Sequence, residues 1–206
     1  PARRHAGRIL DAVQDLDPEG RLPVLGIEPS ELYSLRDEFF DLLPERRTEV
    51  EALSSRAWLV EEYLVRPAKD DKNNSLRITN MARDSFLQKN QKISLHGHCY
   101  QKAQPPAGDG FPVGQFASAE MLKAAGYEVE IIPSGCCGMA GAFGYEAEHY
   151  EVSMQVGELV LLPAVRQALA NGQKVAAVGT SCRSQIADGA NVSAQHPLVL
   201  VAHRLH

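Results

Sequence analysis

Three short apolar runs in this sequence each lead through a glycine into a cysteine. They read Ile93-Ser94-Leu95-His96-Gly97-His98-Cys99, Ile131-Ile132-Pro133-Ser134-Gly135-Cys136-Cys137 and Val178-Gly179-Thr180-Ser181-Cys182. Segments of helical periodicity separate them, over 115–125 and 146–170. Strand alternating with helix predicts an α/β fold, with a mostly parallel sheet flanked by helices. In such sheets ligands bind outside the carboxyl ends of the strands, where all four cysteines of the chain would then gather. A thiol that serves packing alone sits within an apolar run as a small hydrophobe, and none of these does. The expectation is one redox or metal site built from three glycine-associated loops.

The rest of the chain fits around that frame. Ala2, Ala6, Ile9, Leu10 and Val13 recur at helical spacing, so a helix is expected over 1–14. The chain opens in mid-pattern at Pro1, which predicts a piece of a longer polypeptide. A buried strand is expected over 22–27, a helix from Ser30 carrying Leu32, Leu35 and Phe39, and a second helix over 45–65. Residues 68–91 are polar and poorly patterned and read as a connector, with a short helix or hairpin allowed over 76–87. Strands are expected over 92–95, 127–132 and 174–179, and the long helix over 146–170 should be interrupted at Pro163. The closing run from Pro197 fits either a strand or a helix.

Composition removes several function classes. A net charge of −5 offers no basic footprint for nucleic acid. No apolar run approaches the roughly 18 residues that suggest a membrane span, and no signal-peptide pattern opens the chain. Four cysteines are too few for a disulfide-stapled secreted scaffold, which points to a reduced, cytoplasmic setting. Neither a dinucleotide fingerprint, a phosphate loop nor a nucleophile elbow is present.

Thiolates bind iron–sulfur clusters and zinc, and glycine loops at helix N-termini present backbone N–H groups to such negative charge. Cys99, Cys136, Cys137 and Cys182 are therefore the expected ligands. Four histidines lie near these loops: His96, His98, His149 and His196. His98 abuts Cys99, and His98 and His96 are the candidate imidazole ligands. Adjacent cysteines also leave open a strained vicinal disulfide at Cys136-Cys137.

The spacing Cys99, Cys136-Cys137-Gly138 and Cys182 resembles the cysteine-rich CCG domain of heterodisulfide reductase and glycolate oxidase iron–sulfur subunits. Leu95-His96-Gly97-His98-Cys99-Tyr100-Gln101-Lys102-Ala103, Ser134-Gly135-Cys136-Cys137-Gly138-Met139-Ala140-Gly141-Ala142-Phe143-Gly144-Tyr145-Glu146 and Gly179-Thr180-Ser181-Cys182-Arg183-Ser184-Gln185-Ile186 look like one branch of it. That branch is the C-terminal part of large FAD-linked Fe–S oxidoreductases. The resemblance implies oxidation of a D-2-hydroxy acid of the glycolate, D-lactate or D-2-hydroxyglutarate type at a flavin, with electrons leaving through Fe–S centres. It implies FAD-binding and ferredoxin-like partner domains upstream, and a cytoplasmic place or one peripheral to the inner membrane face.

In that family each full motif ends Cys-x-x-Cys, whereas Gln185 stands here in the last position. Glu31 takes the place of the corresponding cysteine in a weaker, earlier copy of the motif, Gly26-Ile27-Glu28-Pro29-Ser30. The expected organisation is the back half of a first, degenerate repeat over 1–67, the connector over 68–91, and a complete repeat over 92–206. The expected cofactor is an iron–sulfur cluster of 4Fe–4S type, or a zinc or iron ion held with histidine help. The leading functional expectation is an electron-transfer module of a flavin-dependent dehydrogenase, not catalytic alone. The alternative is a scaffold that helps shape the substrate pocket, with a mononuclear zinc or no metal.

Overall fold

The computed structural model describes residues 1–66 and 91–204. The expected connector, with its 76–87 segment, lies outside the described residues except for Gln91, which opens a strand. By contact the chain forms two compact units, Pro1–Val60 and Glu61–His206.

The first unit opens with α1 (Ala2–Leu16), which buries Ala6 and Leu10. Its end is closed by the Asp17 carboxylate, which accepts from the N–H groups of Arg21 and Leu22 at 3.2 and 2.9 Å. Next come β1 (Val24–Gly26), α2 (Pro29–Ser34), α3 (Glu38–Leu42) and α4 (Arg47–Ser54). The single helix expected over 45–65 is broken by a strand, β2 (Ala57–Leu59), which pairs parallel with β1 before α5 (Val60–Val65) begins. Ala57 and Leu59 are buried while Trp58 is half-buried, the alternation of a strand. Three residues are too few for that period to stand out against the helical spacing on either side. Arg36 fixes the strand by donating to the Ala57 carbonyl at 2.8 Å, with its guanidinium over the Trp58 ring.

The second unit is a three-stranded parallel sheet in the order β4-β3-β5, formed by β3 (Gln91–His96), β4 (Tyr127–Ile131) and β5 (Lys174–Ala177). Side chains alternate across it. Ile93, Leu95 and Ala176 pack on one face with Met121 and Leu122, while Val175 and Ala177 pack on the other with Leu161, Val165 and Ile186. A short helix, α6 (Cys99–Lys102), follows β3. The first face is covered by α7 (Gly114–Ala124) and α11 (Pro197–Ala202), the second by α9 (Leu161–Ala170) and α10 (Thr180–Ala190). Burial of each large aliphatic side chain here contributes about 1.5–3 kcal/mol. The expected parallel sheet flanked by helices is what these residues build.

One element takes one of the two forms expected for it, and another differs from expectation. The closing run is a helix, with Pro197 at its first position and the His196 side chain accepting from the Leu198 N–H. The stretch 146–170 is not one helix broken at Pro163. A 3₁₀ turn at Phe143–Tyr145 precedes it, and the stretch itself runs as a second 3₁₀ turn at Ala147–His149, then α8 (Tyr150–Leu159) and α9. The break falls at Val160, φ −145°. A proline ring clashes with the carbonyl four residues earlier, here that of Leu159, so the helix yields upstream. Pro163 itself sits in the first turn of α9, where its missing N–H is not needed.

Candidate metal centre

All three strands of the second unit point the same way, so their carboxyl ends share one edge. His96 closes β3, Cys137 lies in the loop after β4, and Cys182 lies in the first turn of α10, which follows β5. Cys99 opens α6. Two of the cysteines expected in loops therefore stand at helix starts. Local capping explains α6: the Tyr100 N–H donates to His98 Nδ1 at 3.2 Å, and the His98 N–H donates to Gln101 Oε1 at 3.0 Å.

One ligand atom each from His96, Cys137 and Cys182 falls within 4.8 Å of the others, and all three residues are buried. His96 Nδ1 is 2.8 Å from Ser134 Oγ, while its buried Nε2 has no hydrogen-bond partner among the described residues. A proton on Nδ1, donated to Ser134, leaves the Nε2 lone pair available to a metal. Cys136 is half-buried and Cys99 exposed, and all four cysteines are free thiols rather than a vicinal disulfide.

Electrostatics distinguish the thiols. A hydrogen bond from the Cys182 thiol holds Cys137 well below the ordinary thiol value; burial opposes this, and His96 and the Met139 N–H assist it. Cys182, as the donor, keeps its proton well above the ordinary thiol value, and burial adds to the effect. Burial raises Cys99, as does charge on Cys136. Burial also lowers His96, so its neutral, ligating form is favoured. Lys102 is pushed down by burial and pulled back up by each of the four thiols, which places its ammonium in the field of the whole group. It donates to the carbonyls of Ser134 and Gly135 at 2.6 and 2.8 Å.

The segments that carry Cys137 and Cys182 each depend on a glycine. Gly138 has φ +106°, and a Cβ there would collide with the Ser153 carbonyl oxygen and stand 2.7 Å from Gln185 Nε2. A Cβ on Gly179 would collide with the His98 ring and stand 3.2 Å from Cys182 Sγ. Ala140 holds a left-handed φ of +41°, a strained conformation for alanine that costs of order 1–3 kcal/mol. Gln185 does not join the sulfur cluster. Its buried amide donates to the Ser153 carbonyl at 2.8 Å and to Ser153 Oγ at 3.2 Å, tying α10 to α8.

Of the histidines, His96 shares the cluster with Cys137 and Cys182, while His98 caps α6 with its Nδ1 3.9 Å from Cys99 Sγ. His149 stacks on Phe143 and faces Glu146 at 2.8 Å, and His196 caps α11 with Nε2 3.8 Å from buried Glu61. Sequence reasoning did not single out Lys102, Ser134 or Ser153. Lys102 carried one usable signal: it follows Cys99 by three residues and so shares its helix face.

The residues present suit a metal. One imidazole and two thiolates are a donor set for zinc or iron. Two thiolates each about 2.3 Å from a tetrahedral ion stand about 3.8 Å apart, inside the span of this trio. Among the described residues no helix is long and apolar enough to cross a membrane.

No family model matches the chain. It is 28% identical over 177 residues to the D-2-hydroxyglutarate dehydrogenase of Escherichia coli (strain K12), a match covering 86% of this chain and 15% of that protein. The protein of the same name from Pseudomonas putida is 31% identical over 107 residues, covering 52% of the chain and 10% of that protein. One subunit of the anaerobic glycerol-3-phosphate dehydrogenase of Escherichia coli (strain K12) is 23% identical over 206 residues, a match covering 99% of the chain and 46% of that protein. Each relative is a dehydrogenase or a subunit of one. The matches span 10–15% of the length of these two D-2-hydroxyglutarate dehydrogenases and under half of the glycerol-3-phosphate dehydrogenase polypeptide.

Proposed function

We propose that this chain is the metal-binding module of a larger flavin-dependent dehydrogenase that oxidises a D-2-hydroxy acid, D-2-hydroxyglutarate being the first candidate. The observation that carries the proposal is the buried trio His96, Cys137 and Cys182, with ligand atoms inside 4.8 Å. Likeness to D-2-hydroxyglutarate dehydrogenases supports the substrate class. FAD belongs to a partner domain in this reading, together with a ferredoxin-like module, and the assembly works in the cytoplasm or at the inner membrane face.

The trio's spacing favours a single zinc or iron ion held by His96 Nε2, Cys137 and Cys182, with Cys136 or Cys99 completing four ligands. Such an ion orders the loops, and iron would in addition carry an electron. A specific observation favours a second occupant, an iron–sulfur cluster of 4Fe–4S type held by Cys99, Cys136, Cys137 and Cys182. The observation is the cysteine spacing, Cys99, Cys136-Cys137 and Cys182, which resembles that of iron–sulfur subunits with thiolate-held clusters. His98, on its cap beside Cys99, is the reserve imidazole.

The repeat reading has local support in the same proposal. Glu31 is the third residue of α2 after β1, as Cys182 is the third residue of α10 after β5. The 1–67 segment is then the back half of a degenerate first repeat, and 92–206 the complete one.

Metal and acid-labile sulfide analysis of the chain purified without oxygen tests the proposal. About one zinc or iron per chain without sulfide is expected for the single ion, and iron with matching sulfide for the cluster. A chain that binds neither, with all four thiols reduced, ends the metal reading.

A further inference from the structure

We infer that Lys102 and Ser134 form a positioning pair that fixes the imidazole and the cysteine loop of this centre. The inference rests on the metal reading above and names the residues that prepare the site for it. Ser134 is buried, and its Oγ stands 2.8 Å from His96 Nδ1. That contact commits Nδ1 and leaves Nε2 as the nitrogen that can bind a metal. With its proton on Nδ1 and donated to Ser134, the ring is held in the orientation that presents the Nε2 lone pair.

Lys102 holds Ser134 in turn. Its Nζ donates to the Ser134 carbonyl at 2.6 Å and to the Gly135 carbonyl at 2.8 Å, the two residues directly before Cys136-Cys137. The same Nζ lies 3.5 Å from Ser134 Oγ. One ammonium therefore anchors both the start of the cysteine loop and the residue that orients His96. Lys102 and Cys99 stand three residues apart on α6, so a single helical turn supplies a thiol and the cation beside it. Chemically the pair does two things. It stops the loop and the imidazole from relaxing apart when metal is absent. It also sets a positive charge against a centre whose thiolates outweigh a divalent ion.

Cobalt(II) titration of the reduced 206-residue chain under nitrogen reads both parts of the claim. Thiolate-to-cobalt absorption reports the sulfur ligands, and competition with a chelator reports affinity. Ser134→Ala and Lys102→Met should each weaken cobalt binding about 10- to 100-fold, the usual effect of removing a ligand's hydrogen-bond partner, with the absorption per bound cobalt kept. Lys102→Arg keeps the charge and two donors and should recover most of the loss. The Lys102 variants decide the matter if Ser134→Ala does not fold, which the metal-free circular dichroism spectrum shows.

Wild-type affinity in Lys102→Met overturns the inference. So does a Lys102→Arg protein as weak as Lys102→Met, since neither charge nor donors would then matter. If the wild-type chain takes up no cobalt, the metal reading falls and this inference with it. Equal uptake by every variant removes this inference alone.

Discussion

His96 is the residue on which the site turns. It is buried, its Nδ1 is held by Ser134, and it shares the buried cluster with Cys137 and Cys182. Replacing Cys137 or Cys182 by Ser should abolish stoichiometric metal binding, and His96→Ala should weaken it while the remaining thiolates still take up metal supplied in excess. Exposed Cys99 replaced by Ser should weaken it far less if one ion is held, and abolish it if a cluster is. Metal content of the four purified variants, measured by inductively coupled plasma mass spectrometry, separates these outcomes. The cysteines were legible in the sequence because each follows a strand-like run through a glycine. The choice of His96 over His98 was not. Both flank Gly97, and only the capping of α6, which engages His98 Nδ1, and the Ser134 contact, which aims His96, tell them apart.

At the scale of elements, α10 is the lever that presents Cys182, and Gln185 is its fastening. One turn beyond Cys182, the Gln185 amide bonds the Ser153 carbonyl of α8, and Gly138 of the cysteine loop lies against both groups. Gln185→Ala should destabilise the fold by about 1–3 kcal/mol, because it removes the buried side-chain hydrogen bonds to Ser153 and leaves a gap between α10 and α8. Denaturant unfolding of the metal-free protein measures that cost. The same variant should keep its metal stoichiometry; loss of metal with stability unchanged would make Gln185 a ligand after all. The family resemblance marks position 185 as a missing cysteine, and its structural work is visible only once α8 and α10 are packed. Two other elements escaped a reading by periodicity for physical reasons. β2 is three residues long inside a helical stretch, and the α8–α9 break is displaced upstream because a proline acts on the carbonyl four residues before it.

Over the whole molecule, strand direction does the organising. Parallel strands in the order β4-β3-β5 bring residues 96, 137 and 182 to one edge although 86 positions separate the first from the last, and this much followed from alternating strand and helix patterns. Ligand binding stabilises the state that binds, by about 4 kcal/mol at a thousandfold excess over Kd. Zinc or iron should therefore slow amide exchange around His96, Cys137 and Cys182 in the Glu61–His206 unit and leave α1 unchanged; exchange mass spectrometry with and without metal resolves the difference. Uniform slowing in both units would mean nonspecific binding.

The central claim, that His96, Cys137 and Cys182 hold a metal, is tested most directly by X-ray absorption at the edge of the bound metal. The account predicts a first shell of at least two sulfurs together with the outer scattering of one imidazole, and loss of that imidazole signal in His96→Ala. A shell of oxygen and nitrogen alone, or an imidazole signal that survives His96→Ala, would contradict it.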